Sequence, residues 1–571
     1  MEPVSSPHPF QPEEIGNTKL GSLFVWILLV GLWALGAWLR LRQVEPALLF
    51  GDELHSLRDM QGGYLHILSH FSETGSGLAL PLLQKAFIDL FGDGHWSLRA
   101  PAWIPGLLLL FSAYPLVRRR FGQEVGVLLT AWIAVEPLLV FYAHFGRIYS
   151  AVALLSLCLL MQLEWILERD RVHFRRLFTL AVCTAILPWA HLTALGFILP
   201  VYLAAFLTAA TAEGRSPAQR RRRVIQLVAA LCLGGLFCVL LYLPAYASLW
   251  NFVRIKTDVS YYGDFGLLDI LTLVAGNRSA AWVLLLLAGA GTGFWLQKMR
   301  WSGAVLSLAV LGPLLTLALT RPYGDAYAYA RYILPSVAPL GILLALAVKE
   351  SLRVLGARSP GLPLTLGLVL ALLLWQTGPL ALGAQSSVPQ HANTYLSLLK
   401  LPAFDAPWPE TPQIYRDLAE QTRDGRVENL KIVEWPALNN RARHLYRHYQ
   451  IQHGAETILA VLPGEFPRLP SGPYASPLQE KWLHGRSADY LIVHIDVHRE
   501  AAQYWAWVYG PNGPGPFGTA EAAHMERHER YGGPLPAVSL EQRKQLARAL
   551  GPPIYRDAFV EVWKLDPDLP D

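Results

Sequence analysis

Charge is what this chain of 571 residues has least of. Asp, Glu, Lys and Arg together make up 16% of it, against about 25% in ordinary soluble domains. That shortage excludes a disordered, highly charged chain and calls for an apolar solvent around much of the molecule. Cysteine is scarce as well. The four present (Cys158, Cys183, Cys232 and Cys238) all lie inside apolar runs, which excludes a disulfide scaffold and a cysteine metal cluster. What the chain has instead is apolar surface: 53% hydrophobic residues, with 19 Trp and 22 Phe and a mean hydropathy of +0.29. Aromatic side chains of this kind gather at membrane interfaces.

The net charge of +5 is unevenly spread. Residues 1–384 hold 29 Lys/Arg against 21 Asp/Glu, and residues 385–571 hold 19 against 22. A basic hydrophobic part therefore precedes a slightly acidic, proline-rich, polar part. A bilayer core of about 30 Å needs about 20 apolar residues per helix. The uncharged run Leu20 to Leu39 supplies one, read as an uncleaved first helix after a tail of residues 1–19. Further runs at roughly 100–117, 125–143, 147–167, 177–189, 191–211, 224–247, 280–297, 302–320, 332–348 and 362–382 predict eleven helices in all.

Basic residues concentrate in every second connection: Arg118 to Arg120, then Arg169 to Arg176, Arg215 to Arg223, Lys298 with Arg300, and Lys349 to Arg358. By the positive-inside rule these connections, and the N-terminus, are cytoplasmic. The positive charge is then topological, and nucleic acid is not an expected partner. The segment 40–99 lies on the opposite side, with amphipathic stretches around Leu57–Phe71 and Leu80–Phe91, and Phe265–Ala275 reads the same way. After the last run the chain is extracytoplasmic. Helical patterns at Ile414–Gln421, Asn440–Gln450 and Leu540–Leu550 alternate there with strand patterns at Leu430–Trp435, Thr457–Leu462, Tyr490–Ile495 and Ala558–Leu565, which predicts a small α/β domain over 385–571.

Few ionisable residues are left on the extracytoplasmic side, so those that occur carry weight. Asp52 and Glu53 follow the first helix; adjacent carboxylates beside a membrane are costly to desolvate without a task, and one of them can take the proton from an attacking hydroxyl. Arg147 lies in the run Pro137–Tyr142–His144–Arg147–Tyr149, and Arg331–Tyr332 heads the tenth apolar run on the same side. Each arginine taken alone suits an interface anchor, but its planar fork of donors also suits a phosphate. His494, Asp496 and His498 alternate as if on one strand face, a spacing compatible with a metal. A single strand is too little to assign one, and no metal site is assigned.

The ordered set of motifs resembles the membrane-embedded GT-C glycosyltransferases, and within them the bacterial branch similar to the dolichyl-phosphate-mannose–protein mannosyltransferases and the lipid A aminoarabinose transferase (families 39 and 83). The matching residues are Asp52–Glu53, Pro81–Leu82, Phe91–Gly92, Arg99–Ala100–Pro101, then Pro137, Tyr142, Arg147 and Tyr149, then His191 and Arg331–Tyr332, over about residues 20–350. The chain departs from many relatives at His144 and Phe145, where they carry Gln or an acidic residue. The resemblance implies a polytopic α-helical GT-C module over 20–384 with a C-terminal extracytoplasmic domain, in the plasma or inner membrane. It implies a hexosyl or pentosyl transferase that moves a sugar from a polyprenyl-phosphate donor to an acceptor hydroxyl on a protein, lipid or glycan.

In that scheme Asp52 and Glu53 are catalytic, and Arg147, Arg331, Lys85 and Arg99 hold the donor phosphate. His55, His144, Tyr149, His191 and Tyr332 then contact substrate. No cofactor is required, and a divalent cation is left open. A transporter or flippase of lipid-linked sugars is the rival reading. It expects charges near the bilayer midplane and related halves, whereas the informative charges here gather at one boundary and the chain has no internal duplication. A third reading makes the helices an anchor for an active soluble domain.

Overall fold

A computed structural model of the chain describes residues 19–42, 44, 53–60, 63–72, 77–92, 95–169, 172–212, 215–258, 266–299, 301–320, 326–356, 361–377, 410–423, 431–435, 449, 456–457, 489–496, 499–500, 503 and 538–565. The apolar runs are mainly helical over the described residues. The order begins with α1 (Lys19–Leu41), three short helices α2 (Glu53–Met60), α3 (Gly63–Ser69) and α4 (Ala79–Phe91), and the long α5 (His95–Phe121). It continues with α6 (Gln123–Val135), α7 (Pro137–His144), α8 (Tyr149–Glu168), α9 (Phe174–Ala190), α10 (Leu195–Thr211) and α11 (Pro217–Tyr242). Next come α12 (Tyr246–Asp258), α13 (Leu267–Ala275), α14 (Arg278–Met299), α15 (Trp301–Thr320), α16 (Ala326–Tyr332), α17 (Leu334–Val354) and α18 (Gly361–Thr377).

Among the described residues seven helices are long and apolar enough to cross a membrane, and an eighth crossing is made where α6 and α7 count as one bent span. The other three runs form α9, α17 and α18, helices of 17, 21 and 17 residues. This is an integral membrane protein. The helices pack around α6, α7, α8 and α17, where α6 is buried from Val125 to Val135 and α17 from Leu334 to Val348. Lipid tails are as apolar as leucine, so close side-chain packing and buried polar contacts must hold such a bundle. One close approach is at Gly291, where any Cβ would overlap the Leu343 carbonyl of α17.

The expected single helix over 125–143 is broken. Glu136 leaves helical geometry (φ −68°, ψ 124°), its Oε2 accepts the Leu139 amide at 2.6 Å, and Pro137 takes the first position of α7. Proline lacks an N–H to satisfy there, and a carboxylate suits a helix N-cap. The two halves meet at 58°. Hydropathy alone averages over such a break. Arg331 and Tyr332 are also placed differently from expectation: they close α16, and a turn at Ile333 separates them from α17.

Ion pairs, one buried and one partly buried, mark the arginine-rich end of the bundle. Arg120 reaches Glu164 at 3.0 Å, and Lys349 reaches Glu124 at 3.0 Å. At the opposite end of α1, Arg40 donates to the carbonyls of Gly36, Ile133 and Ala134 at 3.0, 2.5 and 3.3 Å.

The C-terminal region folds as a five-stranded mixed sheet in the order β2-β1-β3-β5-β4, with β1 (Lys431–Trp435), β2 (Glu456–Thr457), β3 (Tyr490–His494), β4 (Tyr555–Arg556) and β5 (Val560–Lys564). β1 runs parallel to β2 and β3, and β5 runs antiparallel to β3 and β4. Two helices accompany it, α19 (Gln413–Arg423) and α20 (Leu540–Leu550). Ser539 starts α20 through a capping box with Gln542. Of the helix expected over 440–450, Tyr449 alone is described, and it is helical. The proposed strand face of His494, Asp496 and His498 does not form. β3 ends at His494, Asp496 lies in the following turn with its Oδ1 accepting the Arg499 amide at 3.0 Å, and His498 is outside the described residues.

Candidate functional site

The short helices α2–α4 gather at the end of the bundle opposite the arginine-rich turns, and there the conspicuous residues of the sequence meet. Glu53 opens α2, and Arg99 sits in the second turn of α5. Arg99 Nε and Nη2 donate to the two Glu53 oxygens at 2.8 and 2.9 Å, and its Nη1 donates to the Val44 carbonyl at 2.6 Å. Both side chains are fully out of solvent, at 0% exposure for Glu53 and 1% for Arg99. Glu53 Oε1 also accepts the Gly146 amide at 2.6 Å. A Cβ on residue 146 would come 2.8 Å from that oxygen, so glycine alone permits the approach. Gln84 completes the knot: its Nε2 donates to the carbonyls of Leu98 and Gly146 at 3.0 and 3.3 Å.

Charge-assisted bonds of this bidentate kind are strong and fix orientation. Glu53 and Arg99, each singled out for a different part of the reaction, are therefore partners of one another. Together they bind α2, α5 and the turn 145–147 into one unit.

That turn delivers Arg147 to a second group. Tyr149 opens α8, and its hydroxyl lies 3.2 Å from Nε2 of His191, in the break between α9 and α10. The His191 ring stands 4.9 Å from that of Tyr149 and 5.8 Å from that of Tyr332. Its Nδ1 meets the Thr193 hydroxyl at 2.6 Å. The Arg331 guanidinium lies 5.3 Å from the Tyr332 ring centre. Both Arg147 and Arg331, from distant parts of the chain, act electrostatically on His191. Arg147 is buried and Arg331 partly so. Two fixed cations bordered by aromatic rings suit an anion with an apolar tail.

The other candidates lie around these two groups. His144 ends α7, buried against Phe141 with ring centres 5.7 Å apart. Arg40, Arg42 and Arg99 all act on it electrostatically. Lys85 stands on the exposed face of α4, bridging to Asp89 at 3.1 Å and stacking over Tyr64 at 5.1 Å. Tyr64 donates to Asp89 at 2.7 Å, and that hydrogen bond, with the one from Lys85, holds the Asp89 carboxyl below its usual range. In this arrangement Lys85 is engaged by Asp89 of its own helix and by Tyr64 of α3. Asp52 lies outside the described residues, directly before Glu53, and the side chain of His55 is not described.

Two participants escaped the sequence reading, Gln84 and Thr193. Gln84 had a signal, since it falls on the buried face of α4 one turn after Leu80, where an apolar side chain is expected. Thr193 had none, because its role depends on the three-residue 3₁₀ turn Leu192–Ala194 after His191. Among the described residues no group of three or more His, Cys, Asp or Glu is placed to hold a metal ion.

Comparison with known proteins bears on the fold that carries these residues. Residues 76–243 match the family described as dolichyl-phosphate-mannose-protein mannosyltransferase. That segment contains Gln84, Lys85, Arg99, the turn 145–147, Tyr149 and His191. No curated protein sequence gives a match. Among solved structures, ArnT from Cupriavidus metallidurans in the apo state superposes with a TM-score of 0.52 at 13% identity, over 97% of this chain and 99% of that one. The same protein bound to undecaprenyl phosphate gives 0.51 at 12% identity, over the same shares of both chains. The chain is a membrane-embedded protein of GT-C fold, similar to ArnT along its length and to the dolichyl-phosphate-mannose–protein mannosyltransferases over residues 76–243.

Proposed function

We propose that this protein transfers a sugar from a polyprenyl-phosphate donor to an acceptor hydroxyl on the extracytoplasmic side of the membrane. The observation that carries the reading is His191 beside the rings of Tyr149 and Tyr332, with Arg147 and Arg331 both acting on it electrostatically. A lipid phosphate needs fixed cations for its charge and an apolar surround for its chain, and this group offers both. The ArnT structure of the same fold that holds undecaprenyl phosphate adds support for that class of donor.

In the proposed reaction Asp52 accepts the proton of the acceptor hydroxyl, which attacks the anomeric carbon as the bond to the phosphate oxygen breaks. Arg147 and Arg331 meet the charge that builds on the departing phosphate, and stabilisation of developing charge is usually the largest catalytic contribution. Tyr149, His191 and Tyr332 shape the wall. His144 and His55 stand as further substrate contacts, and Lys85 as a contact for a lipid or donor phosphate from the surface of α4. Glu53 and Arg99 act one step removed, by fixing the start of α2, which Asp52 precedes in sequence, against the turn that carries Arg147. The C-terminal α/β region lies on the same side of the membrane and contributes to the choice of acceptor.

The direct test is transfer by the purified protein from a polyprenyl-phosphate sugar in proteoliposomes. Asp52→Asn is expected to abolish turnover while leaving donor binding in place. Undiminished turnover in a folded Asp52→Asn protein would overturn this mechanism.

A further inference from the structure

Away from the membrane site, the C-terminal sheet buries an unusual polar cluster. His494, the last residue of β3, is fully buried, and both ring nitrogens are engaged. Its Nδ1 lies 2.7 Å from Glu500 Oε2, and its Nε2 lies 3.2 Å from the Tyr415 hydroxyl and 3.4 Å from Glu434 Oε2. Tyr449 donates to the other Glu500 oxygen at 2.5 Å. The rings of Tyr415 and Tyr449 stack at 4.0 Å with planes 12° apart, and His494 lies alongside them. All five side chains are out of solvent. They come from α19, β1, the segment at 449, the end of β3 and the segment after it, so one imidazole joins five parts of the chain. The antiparallel neighbour β5 brings only Val560 opposite His494.

Burying charge is tolerated only where it is paired. With the ring doubly protonated, both N–H groups donate, one to Glu500 and one toward Tyr415 and Glu434. Without that proton, Nε2 can accept from the Tyr415 hydroxyl but no longer donates toward Glu434, and a buried carboxylate loses its counter-charge. We propose that this cluster is a latch released by alkali: the protonated His494 holds α19, β1 and the segments at 449 and 500 around the end of β3, and deprotonation frees them. The proposal concerns the C-terminal region alone and does not depend on the transfer reaction.

The direction follows from the surroundings. Burial alone would lower the His494 pKa, but Glu500 and Glu434 outweigh it and push it up to about 9 from 6.5. A group whose folded pKa is raised contributes stability that is complete below the unfolded value and is lost as pH rises through the folded one. The window is therefore about pH 6.5 to 9. Glu434 acts in the same direction, since burial raises its pKa against the smaller opposing effects of His494 and Tyr415.

The test is amide hydrogen exchange on the full-length protein in detergent at a series of pH values, corrected for the intrinsic exchange rate. Protection in peptides covering Lys431–Trp435 and Tyr490–His494 is expected to fall about tenfold or more between pH 6.5 and 9.5, while protection in Gln123–Val135 of the membrane bundle holds. Constant protection of the two strands over that range would overturn the proposal. His494→Gln is expected to show low protection in the same peptides at every pH, and wild-type protection in it would equally overturn the latch. Glu434→Gln removes one buried charge but keeps the shape. It takes away one of the two carboxylates that raise the His494 pKa, so it is expected to lose protection at lower pH than the wild type, and an unchanged profile would count against Glu434 as part of the latch.

Discussion

Glu53 and Arg99, 46 positions apart, are joined by two charge-assisted hydrogen bonds of 2.8 and 2.9 Å with no solvent between them. Breaking a buried pair by removing one member typically costs about 3–5 kcal/mol, because the other charge is left uncompensated. Glu53→Gln and Arg99→Gln are each expected to lower transfer sharply and to reduce thermal stability. The double variant should be less impaired than the two single losses added together. A double-mutant cycle on melting temperature and turnover checks this, and simple additivity would show that the two residues act separately.

Gly146→Ala places a methyl group 2.8 Å from Glu53 Oε1. The expected outcome is a fall in turnover comparable to that of Glu53→Gln, with donor affinity affected less. Measuring kcat and KM in reconstituted membranes decides it; wild-type kinetics would mean that the turn can move without consequence.

Arg147→Gln removes one of two cations around His191 and is expected to reduce kcat by about 10²–10³-fold, the range typical for one lost donor to a developing anion. Arg147→Lys keeps the charge but not the planar fork, so partial recovery is expected. A change confined to KM would assign Arg147 to ground-state binding of the donor.

Tyr149→Phe deletes the hydroxyl 3.2 Å from His191 Nε2. Its effect should be modest, about 1 kcal/mol or roughly fivefold in kcat/KM, since a neutral hydrogen bond contributes about that much net. Loss of activity beyond a hundredfold would require a direct part in the chemistry.

Ser539→Ala removes the side-chain half of the α20 capping box. A destabilisation of about 1 kcal/mol is expected, seen as faster hydrogen exchange in Leu540–Leu550 with no change in the membrane helices.

The membrane helices were legible in the sequence because each apolar run registers directly as a shortage of charge, as Leu20 to Leu39 does. The strands at 431–435 and 490–494 were legible from their β-branched and aromatic patterns. The break at Glu136 was not, because Trp132 to Phe141 stays apolar on both sides of a single carboxylate, and a hydropathy average passes over it. The position of Arg331 at the end of α16 was equally hidden, since Tyr332 continues into the apolar run that follows and the turn at Ile333 leaves no trace in hydropathy. Glu53 and Arg99 could be picked out as unusual, but nothing in their spacing says that they face one another. Pairing across 46 residues is a property of packing. His494 stood out for the right residue type and the wrong partners: its companions are Glu500, Glu434 and two tyrosines, not Asp496.

The break at Glu136 also sets where Arg147 stands. α7 has 8 residues, about 12 Å of helix, and it leaves the direction of α6 at 58°. Its far end is thereby carried sideways by about 10 Å. α7 works as a lever arm whose fulcrum is a single carboxylate capping the Leu139 amide. A substitution at Glu136, eleven positions before Arg147, would swing the arginine-bearing turn without touching it.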